Sequence, residues 1–467
     1  MSNNEHFSLT TRIERSAEDV FAWHESPEAL QRLCPPWEKV VVTASTDGIR
    51  DGAIVQVRHK FGPFTMKWTV EHRDYVKGRQ FRDVQLSGPF AHWEHLHSIE
   101  PDGAHACRLT DEIAYRLPGG SAGRAMGRKF TRRELVRLFT WRHATTKADL
   151  EVTRRDDGGR SRRIAIAGAS GMVGRSLVPF LVTQGHTVIR LVRRPAKKPD
   201  ELYWNPGSGE LDAAALEGVD GVINLSGENV AGGRWTAARR DAIIRSRVDS
   251  TRTLVDAIQR LKHKPEILVS ASAVGFYGNR GDEVLTERSA VGHGFLPEVC
   301  VAWEAEAELG RKAGVRTVLA RLGVVLTPAG GALGKLLPVF RAGLGGRVGN
   351  GKQWMSWISI DDVIGVIYHA LLHTEVDGAL NVVAPAPVSN REFTATLGRV
   401  LRRPAVLPVP RGVLHGIFGE MADATLLASQ RAAPERLITV GYTFRHPLLE
   451  GALRHVLGRV GGNPSSE

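Results

Sequence analysis

Three glycines spaced three residues apart mark a place where this chain could hold a dinucleotide. The stretch IAIAGASGMVGRSLV sets Gly168, Gly171 and Gly174 between an apolar run and a helical pattern. Such a turn lets the backbone approach a pyrophosphate closely, and the positive end of the next helix faces that charge. The predicted nucleotide contacts are Gly168, Ser170, Gly171, Met172, Val173 and Gly174. A strand-to-helix turn without a ligand is the alternative.

Two arginines indicate which dinucleotide binds. Proteins that prefer NAD usually carry an acidic residue about twenty positions after the glycines, where it binds the ribose 2′-hydroxyl. Here HTVIRLVRRPAKK supplies Arg193 and Arg194, and no carboxylate occurs before Asp200. Because a guanidinium fork matches the oxygens of a 2′-phosphate, the sequence predicts NADP and leaves NAD open. A solvated basic turn is the alternative.

The elements that must position these residues alternate between strand and helix. Apolar runs occur in RRIAIAG, HTVIRLV, GVINLSG, EILVSAS and RTVLARLGVVL, with helical patterns between them. This order is typical of a parallel, doubly wound sheet, which binds ligands at the carboxyl ends of its strands. VINLSGENV therefore adds Leu225, Ser226 and Gly227 to the predicted nucleotide site.

The first third of the chain has a different pattern. HFSLTTRIE predicts a strand, and SAED predicts a helix start with Ser16 as its N-cap. Period-two runs predict an antiparallel sheet with one face toward a core or cavity: KVVVTAST, AIVQVRHKF, FTMKWTVEHRDYV, QFRDVQLSGPFAHWEHLHSIE and HACRLTDEIAYRLP. A helix from about Gly123 to Val152 follows, and its predicted apolar side is Met126, Phe130, Leu135, Leu138 and Phe139.

The stretch AHWEHLHS raises the question of a metal site. On a strand, His95 and His97 share one face, while His92 and Glu94 lie on the other. Two histidines are half of a site, and the sequence identifies no further ligand. The prediction is therefore that no metal binds and that these are cavity or surface histidines.

Length and charge limit the remaining classes. A chain of 467 residues predicts two or three domains. We place them at 1–152, at 162–385 for the nucleotide-binding domain and at 386–467 for the substrate side and a small C-terminal domain, with a linker at 153–161. The formal charge of +12 is scattered, and no nucleic-acid-binding motif accompanies it, so nucleic acid is not an expected partner.

The same composition bears on location. No apolar run approaches the length of a membrane span, and the N-terminus lacks the pattern of a signal peptide. Cys34, Cys107 and Cys300 are widely spaced and odd in number. A reduced, cytoplasmic protein is expected.

Several motifs together are similar to one enzyme superfamily. GASGMVG, VINLSGENV, GRWTAARRDAIIRSRVDST, SASAVGFYG, VCVAWEAEA, RLGVVLTPAGGALGKL and GNGKQWMSWISIDDV resemble the extended short-chain dehydrogenase/reductases, and within them the "epimerase family" branch. GYTFRHPLLEGAL resembles the small C-terminal domain of that branch. The first third resembles the helix-grip fold of the polyketide-cyclase and START-like superfamily. The resemblance implies an α/β Rossmann-like domain preceded by an α+β helix-grip domain, and it leaves a homodimer open. The helix-grip domain either holds a hydrophobic ligand or is a structural or docking domain.

The resemblance also implies catalytic residues, and here the sequence departs from the superfamily. Ser272 matches the serine that polarises the substrate oxygen, but the usual tyrosine–lysine pair is absent. Its helix instead carries Cys300 and Glu304, four residues apart and on one face. A carboxylate raises the pKa of a neighbouring thiol, so Cys300 is a candidate proton donor and Glu304 a candidate acid–base group. The alternative is that Cys300 is a packing residue and Glu304 is a surface charge. Tyr277, on the loop after the strand, is a second candidate.

Later loops are expected to contact the substrate. GGALGK and GNGKQWMSW contribute Lys335, Gln353 and Trp354, while DDV at 361–363 predicts a helix start capped by Asp361 or Asp362. The predicted function is an NADP-dependent oxidoreductase or epimerase-like enzyme, with a sugar-nucleotide-like or small carbonyl or carbinol substrate. The alternative is a non-catalytic NADP(H) sensor whose helix-grip domain binds a hydrophobic ligand.

Overall fold

The computed structural model describes residues 4–46, 48–61, 64–156 and 160–459. It divides into two compact units. The first holds the described parts of Met1–Asp157, Val182–Gly185 and His455–Glu467, and the second holds those of Gly158–Leu181 and His186–Arg454. Part of the predicted linker, at 157–159, lies outside the described residues.

The first unit is an antiparallel sheet with a long helix, as expected of a helix-grip fold. Its elements are β1 Glu5–Ile13, α1 Ala17–Glu25, α2 Ala29–Arg32, β2 Val40–Ser45, β3 Ile54–Phe61, β4 Phe64–Val76, β5 Gln80–Ser87, β6 His92–Pro101, β7 Cys107–Arg116 and α3 Gly120–Asp156. The strand order is β1-β7-β6-β5-β4-β3-β2. The longest predicted run therefore forms two strands, β5 and β6. The predicted cap is confirmed, because Ser16 Oγ accepts a hydrogen bond from the Asp19 N–H at 3.1 Å.

The predicted apolar side of α3 is buried over only part of its length. Leu135 and Phe139 are buried in a core cluster with Phe7 and other aromatic residues. Met126 and Phe130, however, are 82% and 50% exposed. Helical spacing fixes the side of a helix that is apolar, but not the length over which a partner covers it.

The second unit contains the predicted doubly wound sheet. Its elements are β8 Arg163–Ala167, α4 Gly174–Thr183, β9 Thr187–Val192, β10 Glu201–Asn205, β11 Glu210–Leu211, β12 Gly221–Asn224, α5 Ala237–Arg260, β13 Ile267–Ala273, β14 Val284–Leu285, α6 Phe295–Lys312, β15 Arg316–Leu322, β16 Val324–Leu326, α7 Gly331–Arg341, β17 Trp354–Met355, β18 Trp357–Ser359, α8 Ile360–Leu372, β19 Gly378–Val382, β20 Val388–Ser389, α9 Asn390–Leu401, α10 Arg411–Phe418, β21 Arg431–Ala432, α11 Glu435–Thr439 and α12 Leu449–Val456. The last two residues of α4 and of α12 are assigned to the first unit.

The order of the main sheet locates its ligand edge. Strands run β11-β10-β9-β8-β12-β13-β15-β19, and all neighbouring pairs except β10–β11 are parallel. The chain winds outward from β8 in one direction and from β12 in the other, so the order reverses between these two strands. Open α/β sheets bind ligands at such a point. Within the part of the chain that the structure describes, no helix has both the length and the apolar character needed to cross a bilayer.

A buried carboxylate joins α8 to the C-terminal part of the second unit. Ser359, rather than either aspartate, caps α8, because its Oγ accepts from the Asp362 N–H at 2.9 Å. The fully buried Asp362 carboxylate accepts hydrogen bonds from the Arg445 N–H at 2.7 Å, the His446 N–H at 3.1 Å and the Ser359 hydroxyl at 2.7 Å. Asp362 is therefore a structural anchor for the segment around residue 445.

We expect Asp362→Asn to lower the free energy of unfolding of the second unit by about 2–4 kcal/mol, because an amide NH₂ would face N–H donors in a buried site. Urea unfolding followed by tryptophan fluorescence measures the loss. Asp256→Asn, at an exposed position of α5, is the matched control and should change stability by less than about 0.5 kcal/mol. Equal midpoints for the two variants would show that Asp362 is not an anchor.

Candidate functional site

The glycine turn after β8 is built from positions that only glycine fits well. Gly168 has φ +83°, and a Cβ there would lie 2.8 Å from the backbone of Leu225. A Cβ on Gly174, where α4 begins, would lie 2.4 Å from the carbonyl oxygen of Gly168. Gly171 donates its N–H to that same carbonyl at 2.9 Å. The turn is therefore tight, and it brings the start of α4 close to the end of β12.

The outer side of this turn has room for a ligand. A Cβ added to Gly171 would meet no heavy atom within 4 Å except the Gly168 carbonyl oxygen at 3.1 Å. Ser170 and Gly171 are exposed, whereas Val173 is buried. Gly227 is exposed, while Leu225 and Ser226 are half-buried. Exposed backbone at a helix N-terminus, beside the strand-order reversal, fits a pyrophosphate.

The two arginines after β9 have different surroundings. Arg194 binds the Glu201 carboxylate through both terminal nitrogens, at 2.8 and 2.6 Å. The Glu201 side chain is only 5% exposed, so this pair is partly a structural one. Arg193 is exposed, and among the described residues no ion pair of Arg193 is found. Of the two, Arg193 is the one whose charge is available to a 2′-phosphate.

A buried hydrogen-bond network lies at the end of β13. Ser272 of β13 donates its hydroxyl hydrogen to Glu304 Oε1 of α6 at 2.6 Å. Arg321, which is paired with Ser272 in the register of β13 and β15, binds both Glu304 oxygens through Nε at 2.9 Å and Nη2 at 2.8 Å. Exposed fractions of 2%, 8% and 5% for Ser272, Glu304 and Arg321 show that the network is buried. The alternative that Glu304 is a surface charge is therefore wrong.

Arg321 is the member of this network that the sequence analysis missed. A signal was present, because ARLG places an arginine inside an apolar run predicted as a central strand. An arginine is almost never fully buried without a partner, so that position required a carboxylate nearby.

Tyr277 lies inside the protein core rather than at the ligand edge of the sheet. It is fully buried, donates its hydroxyl to Asn381 Oδ1 at 2.7 Å and accepts from Arg321 Nη1 at 3.0 Å. Burial raises the pKa of Tyr277. Movement toward a ligand would break both hydrogen bonds, which argues against Tyr277 as the second catalytic candidate. Its position supports a role in holding Arg321.

Cys300 is a buried thiol next to the same network. Its Sγ lies 3.7 Å from the carbonyl oxygen of Ala273, at the end of β13, and donates to it. Burial, with a smaller contribution from the charge of Glu304, raises the pKa of Cys300 to about 11. Cys300 is therefore a protonated thiol at neutral pH, as the sequence predicted from the neighbouring carboxylate.

The three predicted substrate residues all have partners within the protein. Lys335 Nζ donates to the carbonyl oxygen of Ala231 at 2.6 Å and joins α7 to the loop after β12. Gln353 is buried, and its Nε2 donates to two backbone carbonyls, at 3.1 and 3.0 Å. Trp354 Nε1 donates to Asp282 at 2.7 Å. Gln353 thus has a structural role here, and contact with a substrate stays a prediction for Lys335 and Trp354.

Three segments of the chain match known families. Residues 164–383 match the NAD dependent epimerase/dehydratase family, and 409–456 match a domain of unknown function. Residues 13–143 match the family described as polyketide cyclase/dehydrase and lipid transport. An epimerase family protein of Mycobacterium bovis is 43% identical over 298 residues, which is 64% of this chain and 98% of that protein.

Solved structures give the same result. A crystal structure described as the nucleoside-diphosphate sugar epimerase from Corynebacterium glutamicum is similar at a TM-score of 0.80, with 32% identity over 97% of this chain and 90% of that one. Human epimerase family protein SDR39U1 (isoform2), solved with NADPH, is similar at a TM-score of 0.59, with 33% identity over 64% of this chain and 100% of that one. The predicted resemblance is confirmed, and this chain belongs to the epimerase family of NAD dependent epimerases and dehydratases.

Proposed function

We propose that this chain binds NADP(H) at the glycine turn and catalyses oxidation and reduction at a carbinol or carbonyl carbon beside Ser272. The observation that carries the proposal is the position of Ser272, near the end of a strand adjacent to β12, on the same sheet edge as Gly168 and Gly171. A nucleotide whose pyrophosphate lies on the glycine turn reaches that edge in open α/β sheets.

The residues around the turn fit NADP(H). Backbone N–H groups at the start of α4 suit the pyrophosphate, and the exposed Arg193 suits a 2′-phosphate. The human relative solved with NADPH supports the same cofactor. Bound NADP(H) would supply or accept a hydride at C4 of the nicotinamide.

Ser272 and Glu304 together offer a route for the proton. Because the Ser272 hydrogen is donated to Glu304, the lone pairs of Ser272 Oγ are left to accept a hydrogen bond from a substrate hydroxyl. In the direction of oxidation, the substrate proton moves to Ser272 Oγ as the serine proton moves to Glu304 Oε1. In the direction of reduction, both protons move back. Arg321 holds Glu304 in place for this exchange.

Cys300 is the second candidate for the proton. A thiol with a pKa of about 11 holds its proton at neutral pH and is a donor rather than a base. Its Sγ contacts the carbonyl oxygen of Ala273, the residue that follows Ser272 at the end of β13. The Ser272–Glu304 route has the more direct geometry, because it is a single hydrogen bond of 2.6 Å.

The proposed substrate class is supported by a relative's name and not by a side chain of the site. A relative named as a nucleoside-diphosphate sugar epimerase supports a sugar-nucleotide-like substrate for this chain. An epimerase returns the hydride to the opposite face of the same carbon, whereas a reductase releases its product and exchanges the cofactor.

A second candidate function is an NADP(H) sensor without catalysis. The absence of the tyrosine–lysine pair favours it, and so does the burial of Tyr277. The two functions differ in one observable, because a sensor keeps NADPH unoxidised in the presence of every substrate tested.

We expect Arg193→Ala to weaken NADPH binding about tenfold, or about 1.4 kcal/mol, and to leave NADH binding unchanged, because only NADPH carries the 2′-phosphate. Titration followed by nicotinamide fluorescence measures both affinities at a fixed salt concentration. Arg245→Ala, which removes the same charge from an exposed position of α5, is the control. Equal losses for NADPH and NADH would contradict the role of Arg193.

We expect Ser272→Ala to lower turnover at least about tenfold, with whichever substrate a screen identifies, and to leave NADPH affinity unchanged. Steady-state rates and a binding titration separate the two effects. Ser208→Ala, in an exposed turn, is the matched control. Unchanged turnover in Ser272→Ala would remove this serine, and the route through Glu304, from the mechanism.

We expect Cys300 to resist alkylation in the native protein at pH 8, because a thiol with a pKa of about 11 is only about 0.1% thiolate there and is buried. Mass-spectrometric mapping after brief iodoacetamide treatment gives the labelled fraction, and a sample unfolded in urea supplies full labelling for comparison. Rapid labelling of Cys300 in the native protein would show a reactive thiolate and would exclude it as a proton donor.

A further inference from the structure

A cluster of histidines and aspartates is buried in the first unit. Its members are Asp83 on β5, His95 and His97 on β6, Asp111 on β7 and His143 on α3. The last four are no more than 9% exposed. We call this set the histidine cluster. Strand pairing assembles it, because Asp83 is opposite His95, and His97 is opposite Asp111.

Three of these side chains converge at distances typical of metal ligands. Asp83 Oδ2 lies 3.6 Å from His95 Nδ1 and 3.4 Å from His97 Nε2. These separations are at or beyond the long limit of a hydrogen bond. A tetrahedral ion with bonds of about 2.0–2.2 Å separates its ligand atoms by about 3.3–3.6 Å, whereas an octahedral ion separates adjacent ligands by about 3.0 Å. The two separations from Asp83 fit a tetrahedral ion, and the three ligand atoms all lie within 4.8 Å of one another.

The opposite nitrogens of both rings are held by one carboxylate. His95 Nε2 and His97 Nδ1 each lie 2.7 Å from Asp111 Oδ1, while His143 Nε2 lies 2.6 Å from Asp111 Oδ2. A ring that donates one N–H to a carboxylate keeps a lone pair on its other nitrogen. Asp111 would thus direct the lone pairs of both rings toward Asp83. Metal-binding histidines commonly donate their other ring N–H to a carboxylate in this way.

A fourth histidine, His72, lies beside the site. His72 is 6% exposed, and its Nδ1 lies 2.7 Å from Asp83 Oδ1, but the two atoms are not aligned for a hydrogen bond. His72 therefore lies against the Asp83 carboxylate, next to the proposed ligands.

The charge of the histidine cluster also favours a cation. Asp83 and Asp111 are two buried or half-buried carboxylates, and among the described residues neither has a lysine or arginine ion pair. Their partners in these contacts are all histidines. Buried carboxylates require compensating positive charge, which a divalent ion supplies where the imidazoles are its neutral ligands.

We propose that Asp83, His95 and His97 bind a divalent transition-metal ion of the zinc type, with His72 beside the fourth position and Asp111 orienting the two imidazole ligands. Imidazole and carboxylate together suit such an ion rather than Mg²⁺ or Ca²⁺. The sequence predicted no metal because it offered only two histidines on one strand, whereas the third ligand comes from the neighbouring strand. This site is independent of the proposed nucleotide chemistry.

The test uses the full chain without a polyhistidine tag, stripped with a chelator, dialysed against Zn²⁺ and then passed through a desalting column. We expect about one zinc per wild-type chain by elemental mass spectrometry. We expect less than about a tenth of that in the double variant His95→Ala/His97→Ala, because imidazole ligands supply most of the affinity. His92→Ala, on the same strand but the opposite face, is the matched control and should retain wild-type zinc.

A second variant keeps the test decisive if the double variant does not fold. Asp83→Asn preserves the size of the side chain and removes the charged ligand, so its circular dichroism should match that of the wild type. We expect Zn²⁺ to raise the melting temperature of the wild type and not that of Asp83→Asn. Zinc retained equally by the wild type and Asp83→Asn would place the ion elsewhere and overturn the proposal. Absence of zinc from the wild type would also overturn it, and would leave a network of protonated histidines.

Discussion

A carboxylate buried beside a parallel sheet requires a cation, and in the second unit this requirement joins three elements. Glu304 of α6 is bound by the fork of Arg321 on β15 and accepts the hydroxyl of Ser272 on β13. Breaking a buried ion pair by removing one partner costs about 3–5 kcal/mol, because the other charge is left uncompensated. The pair therefore fixes α6 against the sheet, and it also fixes where the Ser272 hydrogen points.

This constraint explains how the site differs from the tyrosine–lysine chemistry of the superfamily. Cys300 and Glu304 occupy the positions of the superfamily's tyrosine and of the lysine that lowers its pKa. Burial keeps the Cys300 thiol protonated. Tyr277 is bound to Arg321 and Asn381 and supports the ion pair instead of facing a ligand. The group left at the ligand edge is Ser272, whose own proton is already directed to a carboxylate. The proposed chemistry therefore depends on a serine–glutamate route.

The sequence predicted features that depend on local pattern. The turn at Gly168 and the parallel order of the main strands follow from spacing along the chain, and both are present. Features that depend on which strands become neighbours were not predictable in the same way. Arg321 meets Glu304, and Asp83 meets His95, only after strands and helices pack in one register. The buried arginine in ARLG gave a usable signal, but Asp83 gave none, because an aspartate on an alternating strand is usually exposed.

The most direct measurement is a crystal structure of the wild-type chain with NADP⁺ bound. We expect the pyrophosphate over the start of α4, the 2′-phosphate beside Arg193 and the nicotinamide at the ends of β12 and β13, with its C4 facing the space next to Ser272 Oγ. A nucleotide bound elsewhere would contradict the proposed function. So would a nicotinamide directed away from Ser272, with Glu304 and Arg321 still sealed from the ligand.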